Sequence, residues 1–419
     1  MNQPLRKNKG YITLMSAQVV SSLGDWLSLV AIMTLVGLKW EASPLEVSLV
    51  ILSLVVPMAI AGPITGTFAD RFNRKRLMFV SDMVRAILLI FLALADTLIL
   101  VYILLFLIGL FSSVFIPAKN GKLKELVPDE QMKSAMSITS MIDSSTKIIG
   151  PLLSGVLVTL LGAEIVFYID SGTFILSAFL ILLLPSTQKI EGEQQQSSSF
   201  KEDFVVGLRF IKTNHFLATG LLILGISLFI VQLSDSQIIV LIRELTTGSP
   251  SLFGFIVTSA GVGTLVIGAV LSRKTRLQSF DAHHNRCLWS RDWLRYDGGI
   301  HVARCRLFDC VGNRLWFVAG MSAGLVFIPF YAAAQTDTPV TMTGRVFGVM
   351  NSVTTIATII GPIYGGWLSM AIGVILTFII TSSLLVVTAV VLTVYKSKIE
   401  RGRVHVAEGN EGTQGAATS

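Results

Sequence analysis

Four side chains able to hold a charged cargo or move a proton stand inside long apolar stretches of this chain: Asp25, Asp143, Lys147 and Asp235. A charge at the centre of a bilayer costs ~2.5–3.5 kcal/mol. An ionisable residue kept at that depth is therefore expected to face water, a partner or a substrate path. Burial also favours the protonated form of a carboxylate, which makes Asp25 and Asp235 candidates for proton coupling; a gate hydrogen bond or a helix-end cap is the alternative. Asp143 and Lys147 are four apart, so on a helix they can pair. Protonation of Asp143 would then free Lys147, or the pair is static and neutralises both charges.

The elements that carry these residues repeat. Ile149-Gly150-Pro151 through Gly155 returns as Ile360-Gly361-Pro362 through Gly366, and Leu23-Gly24-Asp25 is echoed by Leu233-Ser234-Asp235. Asp143 and Lys147 have Thr354 and Thr358 at the matching places, so that pair is not imposed by the repeat. Repeated halves, each with an acid in its first long apolar run, point to a transporter with a pseudo-twofold axis.

Composition sets the setting. Of 419 residues, 52% are apolar and 14% charged, which excludes an ordinary soluble domain and predicts an all-α polytopic membrane protein. Runs near the ~20 residues that cross a bilayer fall at 11–36, 45–68, 77–95, 97–117, 134–160 and 163–185, then at 216–241, 249–271, 317–334, 346–368 and 371–394. The net charge of +7 is not gathered into a nucleic-acid-binding patch. Its basic residues sit in alternate connections, which places the N-terminus in the cytoplasm by the positive-inside rule. The basic start before Asp25 lacks a convincing cleavage site and reads as a first span. The expected organisation is an N-terminal six-helix bundle over 1–185, a polar cytoplasmic linker over 186–212, a C-terminal bundle over 213–395 and a disordered cytoplasmic tail over 396–419.

One segment breaks the pattern. All three cysteines, Cys287, Cys305 and Cys310, lie between 278 and 316 with several arginines and histidines. Their spacing lacks a zinc knuckle, and no metal or cofactor is expected. The repeat calls for a ninth span here. Back-translating Cys287 to Val302 and reading one base later yields a glycine-rich apolar stretch, which fits a pair of compensating frameshifts in the gene. A genuine loop is the alternative; it would leave Lys396, Lys398, Arg401 and Arg403 on the side opposite the other basic connections.

After the second run comes Gly66-Thr-Phe-Ala-Asp70-Arg71-Phe-Asn-Arg74-Lys75-Arg76. It resembles the G-x-x-x-D-R-x-x-R-[RK] signature of the major facilitator superfamily, in the loop between spans two and three. The resemblance implies two pseudo-symmetric six-helix bundles with twelve spans intended. It also implies a cytoplasmic latch in which Gly66 admits a neighbouring helix while Asp70, Arg71, Arg74 and Lys75 hold and release the cytoplasmic side. Asp82 and Arg85, three apart on one face, could extend that network or form a local pair. Gly150-Pro151-x-x-x-Gly155 resembles the antiporter motif of drug exporters, although its return as Gly361, Pro362 and Gly366 also suits plain helix packing. The family architecture would set Asp25 and Asp235 facing each other across a central cavity.

No phosphate-binding G-x-x-x-x-G-K-[ST] loop is present, so an ion gradient rather than ATP is the expected energy source. The resemblance is nearest to bacterial macrolide-efflux-like exporters. It implies no enzyme activity but a monomeric, proton-coupled exporter of amphipathic small molecules in the bacterial cell membrane, with both termini cytoplasmic. Export of an endogenous metabolite or siderophore is the alternative within transport. A sensor or scaffold on the same fold, or an inactive product, is the alternative outside it.

Overall fold

The computed structural model describes residues 5–185, 200–245, 249–274 and, with a few positions omitted, 316–388. The segment 278–316, apart from Trp316, and the tail lie outside the described residues. Eight described helices are long and apolar enough to cross a membrane. The helices are α1 (Lys9–Thr34), α2 (Pro44–Arg71), α3 (Arg74–Ala93), α4 (Leu98–Leu126), α5 (Asp129–Leu161) and α6 (Ala163–Leu182). They continue with α7 (Phe200–Thr213), α8 (His215–Asp235), α9 (Ile238–Leu245), α10 (Pro250–Lys274), α11 (Thr343–Ile372) and α12 (Val374–Leu385). Further helical residues fall between 316 and 336.

Local sequence sets several boundaries. Asn8 caps α1 by accepting from the Tyr11 amide at 3.1 Å, and Asn73 caps α3 through the Arg76 amide at 3.2 Å. Ser43 and Glu46 form a capping box that starts α2 with Pro44 as its first residue; a cap of this kind contributes ~1 kcal/mol. Gly162 and Gly373 turn the chain from α5 to α6 and from α11 to α12 with φ of 88° and 89°, values at which a Cβ would be strained.

Within the first half, α1 packs on α5 and α6, α3 bridges α4 and α6, and α2 lies along α4. In the second half α11 packs on α8 and α7. The linker expected over 186–212 thus holds a helix in its second part. The run expected at 216–241 is interrupted: α8 stops at Asp235, Ser236 and Gln237 form a turn, and α9 begins at Ile238. Large side chains such as Ile99, Leu160 and Leu183 are 71%, 73% and 74% exposed. An apolar exterior of this extent suits lipid, where helices satisfy their own backbone groups.

Glycine contacts make the twofold relation concrete. A Cβ on Gly150 would strike Trp26 of α1, and one on Gly361 would strike Gln232 of α8. A Cβ on Gly109 of α4 would strike the Leu54 carbonyl of α2; one on Gly320 would strike the Ala260 carbonyl of α10. These contacts pair α2 with α4 in one half and α10 with the helical residues around Gly320 in the other.

Candidate functional site

The halves meet through α5 against α10 and α2 against α11. Gly155 carries the first contact, since a Cβ there would lie 3.1 Å from the Gly254 Cα; Gly366 carries the second, 2.9 Å from the Leu45 Cα and 2.6 Å from Ser48 Oγ. Small residues allow this approach of backbones. At the same end of the bundle, Arg243 donates to the carbonyls of Gly37 at 3.0 Å and Ala42 at 2.9 Å. Gln237 donates to the Pro44 carbonyl at 3.1 Å and to Ser48 Oγ at 2.8 Å. The α1–α2 connection is thereby tied to the α8–α9 turn.

The other end is open. At Gly62 and Gly66 of α2, and at Gly344 and Gly348 of α11, a Cβ would meet nothing among the described residues within 4 Å. In this conformation no neighbouring helix among the described residues approaches Gly66, as a released latch would leave it. The basic residues beside it staple the first half internally. Arg74 bonds the Gly121 carbonyl at 3.2 Å and Glu125 at 2.9 Å, and Lys75 donates to the Leu184 carbonyl at 2.6 Å. Arg71 is exposed, and the Asp70 side chain lies outside the described residues.

Between the halves, Asp25, Asp143, Lys147 and Asp235 are all exposed. The expected Asp143–Lys147 ion pair does not form. Asp143 instead accepts from Gln18 Nε2 at 2.7 Å, and Lys147 acts electrostatically on Asp235 of the opposite half. Nor are Asp25 and Asp235 equivalent: the matched glycine contacts place Gln232 opposite Trp26, so Asp25 matches Val231 and Asp235 lies one turn further along, matching Leu29.

Asp82 and Arg85 belong to the bundle interior rather than to the loop network. They pair directly, with 0% and 3% of their side chains exposed, and Arg85 also reaches Asp25 at 3.5 Å. Ser177 donates to Asp82 at 2.6 Å. The guanidinium lies 4.2 Å from the Phe174 ring centroid and 4.8 Å from that of Phe115, cation–π contacts that offset part of its desolvation.

Two residues here were not singled out from sequence. Lys119 interacts electrostatically with Asp25 and Asp143; it reads as loop charge until α4 is seen to continue to Leu126. Asp170 of α6, fully buried, accepts from Ser28 and, at 2.9 Å, from Thr173. An acid inside an apolar run was the available signal for it. Among the described residues no cluster could hold a metal ion.

These features, paired half-bundles meeting at one end over a charged interior, define a membrane transporter. The chain matches the model of the Major Facilitator Superfamily over residues 14–281, and it belongs to that family, one of transporters rather than enzymes. It is 39% identical over 99% of its length to the full length of a Bacillus subtilis (strain 168) protein described as the uncharacterized MFS-type transporter YfiS. Macrolide efflux protein A of Streptococcus pyogenes is 22% identical, with 91% of this chain and 94% of that protein covered. A bacterial homolog of the human lysosomal transporter Spinster, solved in an inward-facing and unoccupied conformation, matches with a TM-score of 0.67 at 16% identity, covering 88% of this chain and 84% of that one. A POT family transporter in complex with 5-aminolevulinic acid gives a TM-score of 0.64 at 14% identity, covering 94% and 97%.

Proposed function

We propose that this transporter is a proton-coupled exporter of amphipathic small molecules working by alternating access, with bundles over 1–185 and 213–395 rocking about the α5–α10 and α2–α11 contacts. The observation that carries the reading is the exposure of Asp25, Asp143, Lys147 and Asp235 between halves that touch at one end. A cavity that water reaches from one side is what a coupling carboxylate needs. With the N-terminus in the cytoplasm, as the alternating basic connections argue, the sealed end is the outer one and the conformation opens inward. The similarity to macrolide efflux protein A supports export and a bacterial cytoplasmic membrane. A monomer suffices, since one chain supplies both bundles.

The experiment is ethidium accumulation in everted membrane vesicles energised by a proton gradient. The reading expects accumulation that collapses with an uncoupler and falls at least tenfold in Asp25→Asn. Protein that is folded and abundant yet moves neither ethidium nor a panel of amphipathic drugs would favour a sensor or scaffold instead.

A further inference from the structure

Among the described residues of the first half, Asp170 is the one carboxylate that is wholly buried and has no cation bonded to it. Its two side-chain partners among the described residues are hydroxyls, Ser28 from α1 and Thr173 one turn on. The ion pairs of Arg85 go to Asp82 and Asp25. A buried anion without a cation is costly, while a neutral acid fits, because each hydroxyl can turn and accept instead of donate. The site is also built rather than incidental. Gly24, next to Asp25, lacks the Cβ that would strike both Asp170 and Thr173, so α1 and α6 close over the acid.

We propose that Asp170 is the proton-storing carboxyl of the transport cycle, set behind the cavity and linked to it through Asp25 and Arg85. This rests on the proton-coupled reading above. A proton taken from cavity water neutralises Asp25. Its passage inward leaves Asp25 anionic again beside Arg85 and makes Asp170 neutral. When Asp170 gives the proton up, the nearest cation is Arg85, whose guanidinium stacks on Phe174, one turn along α6 from Asp170. Its buried Nε has no partner, so it has a donor to offer. Drawing Arg85 toward Asp170 loosens its hold on Asp25, and the cavity charge changes with the proton.

The charged groups around Asp170 are few. Asp25 from α1 and Arg85 from α3 act on it electrostatically. Asp82 from α3 is held by Arg85 and Ser177. On α5, Asp143 is bonded to Gln18 and Lys147 acts on Asp235. From α4, Lys119 acts on Asp25 and Asp143.

Two measurements test the assignment. In reconstituted full-length protein, the infrared carbonyl band of a protonated buried carboxyl is expected near neutral pH, lost in Asp170→Asn and kept in Asp25→Asn. Thr173→Val, a milder change, is expected to move the pH midpoint of that band while the protein stays folded. A band unchanged in Asp170→Asn, or a midpoint indifferent to Thr173→Val, overturns the proposal whether or not the protein transports anything. In proteoliposomes, Asp170→Asn is expected to lose gradient-driven ethidium accumulation at least tenfold while ethidium exchange without a gradient stays within about twofold. Equal loss of both, or of neither, assigns Asp170 a structural role only. Wild-type protein that gives the band but no gradient-driven transport of any substrate fails the proton-coupled reading, and the storage role with it.

Discussion

Asp82 and Arg85, one turn apart on α3, pair where neither side chain is more than 3% exposed. Removing one partner of such a pair leaves a buried charge and costs ~3–5 kcal/mol, whereas replacing both with apolar residues of similar volume is often neutral. Asp82→Leu is expected to lower the thermal midpoint in detergent strongly, and Asp82→Leu with Arg85→Met to recover most of it. A double variant less stable than the single one would mean that Asp25 already balances Arg85.

Arg243 closes one end of the cavity through two carbonyls of the α1–α2 connection. Hydrogen bonds from a charged donor contribute ~1.5–3 kcal/mol, and each 1.4 kcal/mol is about tenfold in population. Arg243→Ala is expected to open that end by one to two orders of magnitude. Thiol labelling of a cysteine placed at Ile239, in a background lacking the native cysteines, reads the change.

Gly254 meets Gly155 with 3.0 Å between its would-be Cβ and the Gly155 Cα. Overpacking of this kind costs ~1–3 kcal/mol. Gly254→Val is expected to force α5 and α10 apart and slow transport, while Gly62→Ala, which meets open space, leaves this conformation undisturbed. Spin-label distances between α5 and α10 check both.

Lys147 and Asp235 attract each other across the halves, but both are exposed. Solvent screening limits such a pair to ~0.2–1 kcal/mol. Lys147→Gln and Asp235→Asn are each expected to change ethidium efflux, and together to change it by less than the product of the two. Strict multiplication would show that they act independently.

The α5 and α11 glycines were readable because packing of backbone on backbone demands a specific residue type at a specific place, and the chain wrote that demand twice. Asp25 and Asp235 were readable as acids in apolar runs, but their supposed equivalence was not: equivalence is set by which α8 residue sits against Gly361, a contact four turns of sequence cannot announce. Asp170 carries the same signal as Asp25, an acid in an apolar run, but no repeat marks it. Lys119 was hidden by an assumed helix end, since the apolar run stops before the helix does.

The sequence alone determined that this protein is helical, membrane-embedded, duplicated and a member of a transporter family, because hydropathy, basic connections and repeated glycines are local properties that a bilayer acts on residue by residue. Tertiary structure alone decided which charges meet. Arg85 joins Asp82 and Asp25, Lys147 answers Asp235, and Asp170 is left with hydroxyls. Those pairings follow from how α1, α3, α5, α6 and α8 rotate against one another, and helix rotation is fixed by packing among distant residues.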